Sequence, residues 1–413
     1  MIFKNADVHP AILVVQKTQH DSEHRNEVAV LVHETAEPFE QVLARRAYTL
    51  LLQEDIAAFD GSTWNVRLDS HFARMVRNLI GHSERLGALG SVKRGLISGN
   101  REKYFASEKK GPKWYPIVTG TDVQRYGIEP PVEYVLFEKP GRTAGGCWDE
   151  DVHLKRGKIL LKQVGRWPQA AVDDAPYCIT GNVFAIVLKD SGLSPYYVTS
   201  ILNSRLTKVI WSVVLSDFKA VFPELKGEWI EQWPIRRIEF KRPEKSRASL
   251  FAKSNEFYQR SVSDGNPDRV LAFVSEQLAA SPEHADVVHD LLAFLADQMM
   301  ALNREKRAAS KQFLTDLKDF HSIHAHDLKP KTKLDGFWRF EAAEVFAHFR
   351  ANKLHLKESD EEKIRARFQK AKDKLLPLES SLAFTDGLID EIVYRLHGLT
   401  PDEIKMVEDT SRP

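Results

Sequence analysis

The chain has 413 residues, 43% of them apolar and 10% aromatic, which are globular values that exclude wholesale disorder and lead us to expect two or three domains. The net charge of +1 is unevenly spread, because residues 1–60 hold 5 Lys and Arg against 10 Asp and Glu, whereas residues 86–241 hold 23 against 17. Cys147 and Cys178 lack metal-ligand spacing, residues 1–7 do not resemble a signal peptide, and no run approaches about 18 apolar residues, so a cytoplasmic protein is expected.

The N-terminal part is predicted to combine strands and helices. Residues 11–17 and 27–33 are short runs rich in β-branched residues, joined by a polar loop, and we expect two neighbouring buried strands. Residues 38–53 have a helical pattern. Residues 64–68 lead into a second predicted helix at 72–80.

From residue 86 the chain consists of short apolar runs separated by Gly, Pro and Asp. Strands are predicted at residues 115–118, 134–137, 159–162 and 182–188, and a helix at 195–214. This pattern favours a mixed or antiparallel β domain that carries one helical segment.

After residue 241 the pattern becomes helical. An apolar stripe at spacings of three, four or seven predicts one long helix, with a shorter helix at 250–260 as its antiparallel hairpin partner. The stripe is formed by Val288, Leu291, Leu295, Met299, Leu302, Ala309, Phe313, Leu317 and Phe320.

Capping residues predict the ends of the last three helices. Ser359 with Glu362 predicts a capping box, and Thr385 is expected to cap a further helix that stops at Gly398. Thr400-Pro401-Asp402-Glu403 then opens the final helix.

Several kinds of reaction centre are missing from the sequence. It has no Gly-rich cofactor turn after a first strand, no P-loop and no Gly-x-Ser-x-Gly elbow. Pro130-Pro131 is preceded by Glu129 and followed by Val132, which departs from the Asn/Asp/Ser-Pro-Pro-aromatic loop that holds a flipped base.

The sequence contains partial matches to a metal site and to a nuclease site. The histidines in residues 321–327 have a spacing that could hold a divalent metal, but a polar helix end is the favoured explanation. Pro267-Asp268 and Glu361-Glu362-Lys363 resemble nuclease pieces, yet the second falls on a predicted helix. We expect neither a metal nor catalytic residues in this chain.

The excess of cations at residues 86–241 favours a polyanionic partner. Lys and Arg on loops suit phosphate contacts, and Arg, Lys, Asn or Gln read base edges in the major groove. The alternative is that they are ordinary solvated charges. The candidate DNA-binding residues are Lys93, Arg94, Asn100, Arg101, Lys103, Lys109, Lys110, Lys113, Arg125, Lys162, Gln163, Arg166 and Lys219. Those proposed to reach base edges are Arg94, Asn100, Arg101, Gln163, Arg166 and Lys219.

The order of several short motifs resembles the TaqI-like C-terminal specificity domain of adenine-specific DNA methyltransferases, including type IIG restriction-modification enzymes and phage-defence methylases. The motifs are Gly95 to Gly99, Gly-Thr-Asp-Val-Gln-Arg-Tyr at 120–126, Lys-Ile-Leu-Leu-Lys at 158–162, Ala-Ala-Val-Asp at 170–173, Leu-Asn-Ser-Arg-Leu at 202–206, Phe222-Pro223 and Gln-Trp-Pro-Ile at 232–235. Residues 386–404 are similar to the family's closing helical pair.

The resemblance implies that double-stranded DNA is the partner and that catalysis belongs elsewhere. Residues 3–17 look like the late strand that ends the family's catalytic domain, so the part that binds S-adenosylmethionine and methylates adenine has no positions here. No cofactor is expected in this chain. A catalytic methyltransferase subunit, or a missing N-terminal half, is expected as a second partner.

These observations predict an α+β protein in three parts. Residues 1–80 are a remnant of methyltransferase catalytic-domain strands with helices, residues 81–241 are a mixed/antiparallel β target-recognition domain, and residues 242–413 are an α-helical C-terminal domain with a long helical hairpin. The expected function is sequence-specific DNA recognition for adenine methylation, restriction-modification or phage defence. The alternatives are an inactive truncated methyltransferase remnant, a methyltransferase or nuclease with degenerate motifs, and a helical protein-interaction scaffold.

Overall fold

The computed structural model describes residues 26–31, 37–56, 70–139, 141, 144–165, 167–189, 192–215 and 224–411. The strand predicted at 11–17, the stretch 64–68, Phe222-Pro223 and the candidates Arg166 and Lys219 lie outside these ranges.

The N-terminal part contains a two-stranded antiparallel sheet. Strand β1 (Glu27–Val30) pairs with β2 (Thr49–Leu52), and α1 (Phe39–Ala44) lies between them in sequence. The prediction of one helix over 38–53 is therefore wrong beyond Ala44, because the Thr and Leu residues of β2 pair with β1. Helices α2 (Gln53–Ile56) and α3 (Ser70–Gly81) follow, and α3 covers the helix predicted at 72–80.

The middle part contains two four-stranded sheets and two ribbons. The strands are β3 (Ser83–Arg85), β4 (Gly90–Arg94), β5 (Phe105–Ala106), β6 (Trp114–Val118), β7 (Val123–Gln124), β8 (Gly127–Ile128), β9 (Glu133–Leu136), β10 (Lys158–Lys162), β11 (Ala170–Asp173), β12 (Cys178–Ile179), β13 (Val183–Leu188) and β14 (Pro234–Arg236). The helices are α4 (Leu86–Leu89), α5 (Arg101–Tyr104), α6 (Glu150–His153), α7 (Pro195–Asn203), α8 (Arg205–Ile210) and α9 (Gly227–Glu231). All four strands predicted in this region are confirmed within a residue or two of their predicted ends.

The first sheet has the order β11-β10-β13-β4 and is antiparallel throughout. Its central strands are buried on both faces, which explains their continuous apolar sequences. Ile159 and Ile186 face a core that includes residues of α7, whereas Leu160 and Ala185 face Val118 on the second sheet. The second sheet has the order β12-β6-β9-β5 and is mixed, since β12 runs parallel to β6.

The helix predicted at 195–214 is interrupted at Ser204. The Ser204 hydroxyl accepts a hydrogen bond from the Thr207 amide at 3.2 Å, which caps α8 and separates it from α7. A π-helical turn, Trp211–Leu215, follows α8.

The C-terminal part is helical. It contains α10 (Glu244–Asp264), α11 (Asp268–Ala279), α12 (Ala285–His321), α13 (Ala342–Ala351), α14 (Glu358–Leu396) and α15 (Pro401–Ser411), with short 3-10 turns at Ala325–Asp327, Lys331–Leu334 and Phe337–Arg339. The apolar stripe of α12 faces inward except at Phe320, which is 64% exposed. The main antiparallel partner of α12 is α14, not the predicted helix near 250–260, which belongs to α10 and packs less extensively.

Two of the predicted caps are wrong. The N-cap of α14 is Lys357, so Ser359 lies inside the first turn. Thr385 lies within the same 39-residue helix, where its hydroxyl donates to the Ser381 carbonyl at 2.8 Å and contacts the Tyr258 hydroxyl. The predicted stop at Gly398 and the Thr400–Glu403 capping box are confirmed, since Gly398 has φ +67° and the Thr400 amide donates to Glu403 at 2.8 Å.

One hydrophobic core joins the middle and C-terminal parts. It includes Val76 of α3, Ile159 of β10 and Ile392 of α14. A second core, with Phe313, Phe337 and Phe368, lies between the C-terminal half of α12, the 3-10 turns, α13 and the first half of α14. The predicted α+β class is confirmed, and the domain boundaries stay predictions. No helix in the described ranges is long and apolar enough to cross a membrane.

Candidate nucleic-acid interface

Arg94 and Gln163 meet at one end of the first sheet, where β4 and β10 finish and β13 begins. The Arg94 guanidinium donates from Nε to the Gly181 carbonyl and from Nη2 to Gln163 Oε1 at 3.2 Å. Gln163 is 7% exposed, and its backbone is held by Asn182 and Leu225. Arg94 is exposed and both partners are neutral, so its charge remains available to an anionic ligand.

Gly95 allows two chain segments to approach closely beside Arg94. A Cβ atom at this position would fall on the carbonyl oxygens of Ile179 and Thr180. The Gly95 amide donates to Val183 at 2.9 Å and the Leu96 amide donates to Ile179 at 2.9 Å. These contacts fix the direction in which the chain leaves β4, and therefore the position of the loop at 95–100.

The loop ends at α5, which presents three candidate residues. Asn100 caps this helix by accepting from the Lys103 amide at 3.0 Å. Arg101 forms an ion pair with Glu133 of β9 and lies over the Phe105 ring at 4.4 Å. Asn100 and Arg101 therefore have local structural roles, although both side chains are exposed. Lys103 lies over the Tyr104 ring at 5.2 Å.

The connection between β5 and β6 carries three further lysines. Lys113 donates to Glu138 at 2.7 Å, and this hydrogen bond raises the pKa of the Lys113 ammonium. Lys110 lies over the Trp114 ring at 5.5 Å, and Lys109 has no ion-pair partner among the described residues. The carboxylate opposite Lys113 reduces the net positive charge at that position, whereas Lys109 and Lys110 keep theirs.

Lys93 and Lys162 lie on the first sheet without an ion-pair partner in the part of the chain that the structure describes. Lys93 is exposed and pairs in register with Ala185, and Lys162 pairs with Val183. Side chains alternate along a strand, so both lie on the face opposite to Arg94 and Gln163. The candidates of this sheet thus occupy its two sides.

Arg125, one of the candidate DNA-binding residues, has a structural role inside the protein. Its guanidinium donates to the Asn203 carbonyl at 3.0 and 2.7 Å and to Asp386 of α14 at 2.6 Å. The side chain is 30% exposed. The β7–β8 turn places Arg125 against α14, and nothing in its sequence context distinguishes it from the exposed arginines.

Asn182 is a structural residue of this region that was not predicted from the sequence. Its Oδ1 accepts from the Gly120 amide at 3.1 Å and from the Thr180 hydroxyl, and its backbone carbonyl accepts from Gln163 at 3.0 Å. Asn182 therefore connects the Gly120 turn to the end of the first sheet. Its position directly before the apolar run of β13 is the signal that could have identified it, since Asn is typical of turns.

A buried ion pair supports the opposite end of β10. Lys158 donates to Asp173 of β11 at 2.5 Å, with both side chains almost fully buried. Burial lowers the pKa of Lys158 and raises that of Asp173, and their mutual attraction opposes both effects. The pair aligns the two strands and is inaccessible to a ligand.

The histidine segment at 321–327 does not form a metal-binding cluster. His321 Nδ1 lies 3.9 Å from an Asp360 oxygen. Across the described ranges, no group of three or more His, Cys, Asp or Glu residues could hold a metal ion.

The region from Lys93 to Lys113 presents exposed cations, and its aromatic neighbours are half-buried or buried. Phosphate oxygens bind to cations, and base edges bind to the donors and acceptors of Arg and Gln. We call the exposed lysines Lys93, Lys103, Lys109 and Lys110 the basic face, and Arg94 and Gln163 lie on the opposite side of the first sheet from Lys93. Strand β4 precedes residue 115 but completes the same sheet as β10, β11 and β13.

Comparison with known families agrees with this geometry. Residues 288–393 match a family described as a domain of unknown function, DUF8810, and no curated protein matches the chain. Residues 115–235, which contain β6 to β14, match the TaqI-like C-terminal specificity domain. The chain therefore contains a TaqI-like specificity domain, which supports sequence-specific DNA recognition in restriction-modification.

Proposed function

We propose that this chain selects the DNA sequence at which a separately supplied catalytic part methylates adenine, in restriction-modification or phage defence. The observation that carries the proposal is the pairing of Arg94 with Gln163 at the end of the sheet that forms part of the specificity domain. The exposed Arg94 would read guanine through bidentate hydrogen bonds in the major groove, while the buried Gln163 orients its guanidinium. The neighbouring lysines would hold the duplex by its phosphates.

Salt dependence gives the first test of this proposal. Each phosphate that a cation neutralises releases counterions, so the binding constant should fall steeply as salt rises. Fluorescence anisotropy with a labelled duplex should show binding at about 50 mM salt and a slope close to −0.9 per phosphate contact. No binding at that salt concentration, with or without a methyltransferase partner, would refute the proposal.

A matched pair of variants separates DNA recognition from a scaffold function. The basic-face variant is Lys93→Ala/Lys109→Ala/Lys110→Ala. Its control removes three exposed lysines from α10, α14 and α15, as Lys245→Ala/Lys374→Ala/Lys405→Ala. A DNA-recognition protein should lose affinity for all sequences only in the basic-face variant, whereas equal affinities for the two variants would favour a protein-interaction scaffold.

We infer that the acidic N-terminal ribbon docks on the catalytic partner. A two-stranded sheet is marginally stable alone, and Leu50 of β2 is 60% exposed. Tyr48, directly before β2, and Leu43 of α1 are 43% and 42% exposed. A partner's sheet could extend this ribbon and cover the apolar side chains.

In this proposal S-adenosylmethionine is bound by the catalytic partner, because this sequence has neither the Gly-rich turn nor the Asn-Pro-Pro-aromatic loop. Glu129, which stands before Pro130, instead accepts from Arg307 at 3.0 Å. Methyl transfer from labelled cofactor to duplex DNA should require both chains. Methyl transfer by this chain alone would refute the proposal that catalysis belongs to the partner. The docking proposal has its own test: Leu50→Asp should abolish co-purification with the catalytic chain while DNA binding persists.

A further inference from the structure

The C-terminal part extends an arm from the specificity domain. Helix α12 contacts the specificity domain through Arg307, which pairs with Glu129, and then runs 14 residues to His321, a rise of about 21 Å. Beyond Arg307 the helix packs in the second hydrophobic core, with the 3-10 turns, α13 and the first half of α14. We call this unit the arm.

The far end of the arm has a dense group of cations. Residues 329–333 contain three lysines and residues 350–357 contain Arg350, Lys353 and Lys357, and neither segment contains an acidic residue. The two segments lie side by side, because Asn352 Oδ1 accepts from the Lys329 amide at 2.7 Å and Asn352 Nδ2 donates to the Lys329 carbonyl at 3.1 Å. We call Lys329, Lys331, Lys333, Arg350, Lys353 and Lys357 the basic tip.

The cations of the basic tip differ from the ion-paired cations near the base of the arm. Near the base of the arm, Lys306 and Arg339 pair with Glu379, and Lys372 pairs with Glu341. None of the six cations of the basic tip has an acidic partner among the described residues. Six like charges without ion-pair partners repel one another, which destabilises the folded protein. An anionic partner would relieve this repulsion and therefore accounts for the cluster better than a contribution to folding does.

A structural explanation exists for three of these residues, of which Lys333 is half-buried and lies over the Phe340 ring at 3.7 Å. Cations near the C-terminus of a helix stabilise the helix by interacting with its dipole, and Arg350 and Lys353 lie at the C-terminal end of α13. It does not account for Lys329 and Lys331, which are exposed and follow α12 by several residues. The hydrogen bonds from Asn352 hold the backbone at Lys329, which reduces the entropy lost when that side chain binds a ligand.

We propose that the basic tip binds the phosphate backbone of duplex DNA that flanks the sequence recognised by the specificity domain. This proposal rests on the proposed DNA-recognition function. The reach of α12 beyond Arg307, about 21 Å, corresponds to about six base pairs of duplex at about 3.4 Å each. The contact is independent of sequence, since lysines at phosphates carry no base information. It adds affinity and extends the footprint to one side of the recognised site.

The test compares two duplex lengths and three variants of the full chain. A hairpin duplex of about 6 base pairs and a duplex of about 30 base pairs, both of mixed sequence, are titrated by fluorescence anisotropy. At about 3.4 Å per base pair the shorter one spans about 20 Å, which does not exceed the reach of the arm. The tip variant is Lys329→Ala/Lys331→Ala/Lys353→Ala. The other two are the basic-face variant and the three-lysine control described above, and thermal melting verifies that each is folded.

The tip variant should bind the long duplex at least tenfold more weakly than the wild type, with the salt slope reduced by about 2.7 for three lost phosphate contacts, while its affinity for the short duplex is unchanged. The control should match the wild type on both lengths. A tip variant that binds the long duplex as the control does would overturn the proposal, as would an equal loss on both lengths.

The variants distinguish failure of the proposed DNA-recognition function from failure of the flanking contact alone. If the specificity domain does not bind DNA, the basic-face variant will bind both duplexes as the wild type does. If only the flanking contact is wrong, the basic-face variant will lose affinity for both duplexes while the tip variant loses none. Preferential binding of the basic tip to an acidic protein or to anionic vesicles, with no effect on duplex binding, would also refute the proposal.

Discussion

Three arginines in neighbouring segments have three different environments. Arg94 donates to the Gly181 carbonyl and to the Gln163 side-chain amide oxygen. Arg101 forms an exposed ion pair with Glu133, and Arg125 is anchored between Asn203 and Asp386. The guanidinium is identical in each case, so the partner decides whether its charge remains available. Arg94 is thus the best placed of the three to read a base.

The Arg94→Ala substitution should reduce affinity for the recognised sequence by about 1–3 kcal/mol and relax specificity at one base position. Lys93→Ala should weaken binding to every sequence to a similar extent, since a phosphate contact carries no base information. Selection from a random duplex library identifies the preferred sequence. Fluorescence anisotropy with single-base variants of that sequence then measures the affinity and the base preference at each position. Unchanged base preference in Arg94→Ala would contradict the assignment.

Gly95 and Gly387 provide a matched pair for the close approach beside Arg94. Gly95→Ala should destabilise the protein by about 2 kcal/mol or more, because the new Cβ meets two carbonyl oxygens that belong to the backbone. Gly387 lies inside α14 with no neighbouring atom within 4 Å of an added Cβ, so Gly387→Ala should stabilise the helix by about 0.5–1 kcal/mol. Urea unfolding measures both, and a Gly95→Ala protein as stable as the wild type would show that the segments can move apart.

At the scale of elements, α14 continues where the sequence predicts a boundary. Pro377 lies inside the helix, and Thr385 has the side chain of an N-cap, yet α14 spans 39 residues. Leu375 of α14 packs in the second core, and Leu388 and Ile392 pack in the first. Burial of these side chains outweighs the hydrogen bond lost at Pro377, because each contributes about 1.5–3 kcal/mol against a cost of about 3 kcal/mol for the proline.

Glu379 joins three side chains at the base of the arm, and its carboxyl group makes the stability of the protein depend on pH. It accepts from Arg339, from Trp338 Nε1 at 3.0 Å and from Lys306 at 3.1 Å. The hydrogen bonds from Arg339 lower the pKa of Glu379 to about 2 against the opposing effect of burial. A carboxyl group with a lowered folded-state pKa adds stability above its unfolded pKa of about 4.5, and that stability is lost as pH falls toward about 2.

Glu379→Gln should therefore be less stable than the wild type at pH 7, by about 3 kcal/mol, with the difference shrinking as the pH falls below about 4.5. Glu256→Gln is the control, because Glu256 pairs with Arg260 at an exposed site where an ion pair contributes about 0.5 kcal/mol or less. Urea unfolding followed by circular dichroism between pH 7 and about 3 provides the measurement. Parallel pH profiles for the wild type and Glu379→Gln would contradict this role.

At the scale of the whole molecule, the specificity domain and the closing helices share a core. Ile159 of β10, Tyr197 of α7 and Ile392 of α14 belong to one buried cluster, and Arg125 adds a polar link to Asp386 across the same boundary. A shared core couples the folding of the parts that contribute to it. The helical part therefore supports the specificity domain in addition to carrying the arm.

Arg125→Ala should destabilise the protein by about 2–4 kcal/mol, since it leaves the Asp386 carboxylate and the Asn203 carbonyl without their partner. Arg101→Ala removes an exposed ion pair and should cost about 1 kcal/mol or less. Thermal melting distinguishes the two, and the folded fraction of Arg125→Ala should bind DNA with normal affinity. A loss of affinity in Arg125→Ala without a lower Tm would show that Arg125 contacts DNA and contradict a purely structural role.

The sequence by itself determined the α+β class, the strands β6, β9, β10 and β13, the helices α3 and α12, and the stop at Gly398. Each of these depends on local periodicity or on a residue with a special backbone preference. The order of the short motifs was sufficient for the resemblance to the TaqI-like specificity domain, which the match over 115–235 supports.

Only the tertiary structure decided which elements pair and which charges remain available. The partner of α12 is α14, more than 30 residues farther along the chain, because packing joins apolar faces irrespective of their separation in sequence. Arg125, Arg94 and Lys158 are all cations in or beside the predicted motifs. Arg125 anchors α14 through Asp386, Arg94 is exposed at a sheet end, and Lys158 is buried with Asp173 of β11. Solvation and partner distance set the role of a charge, and both depend on the assembled fold.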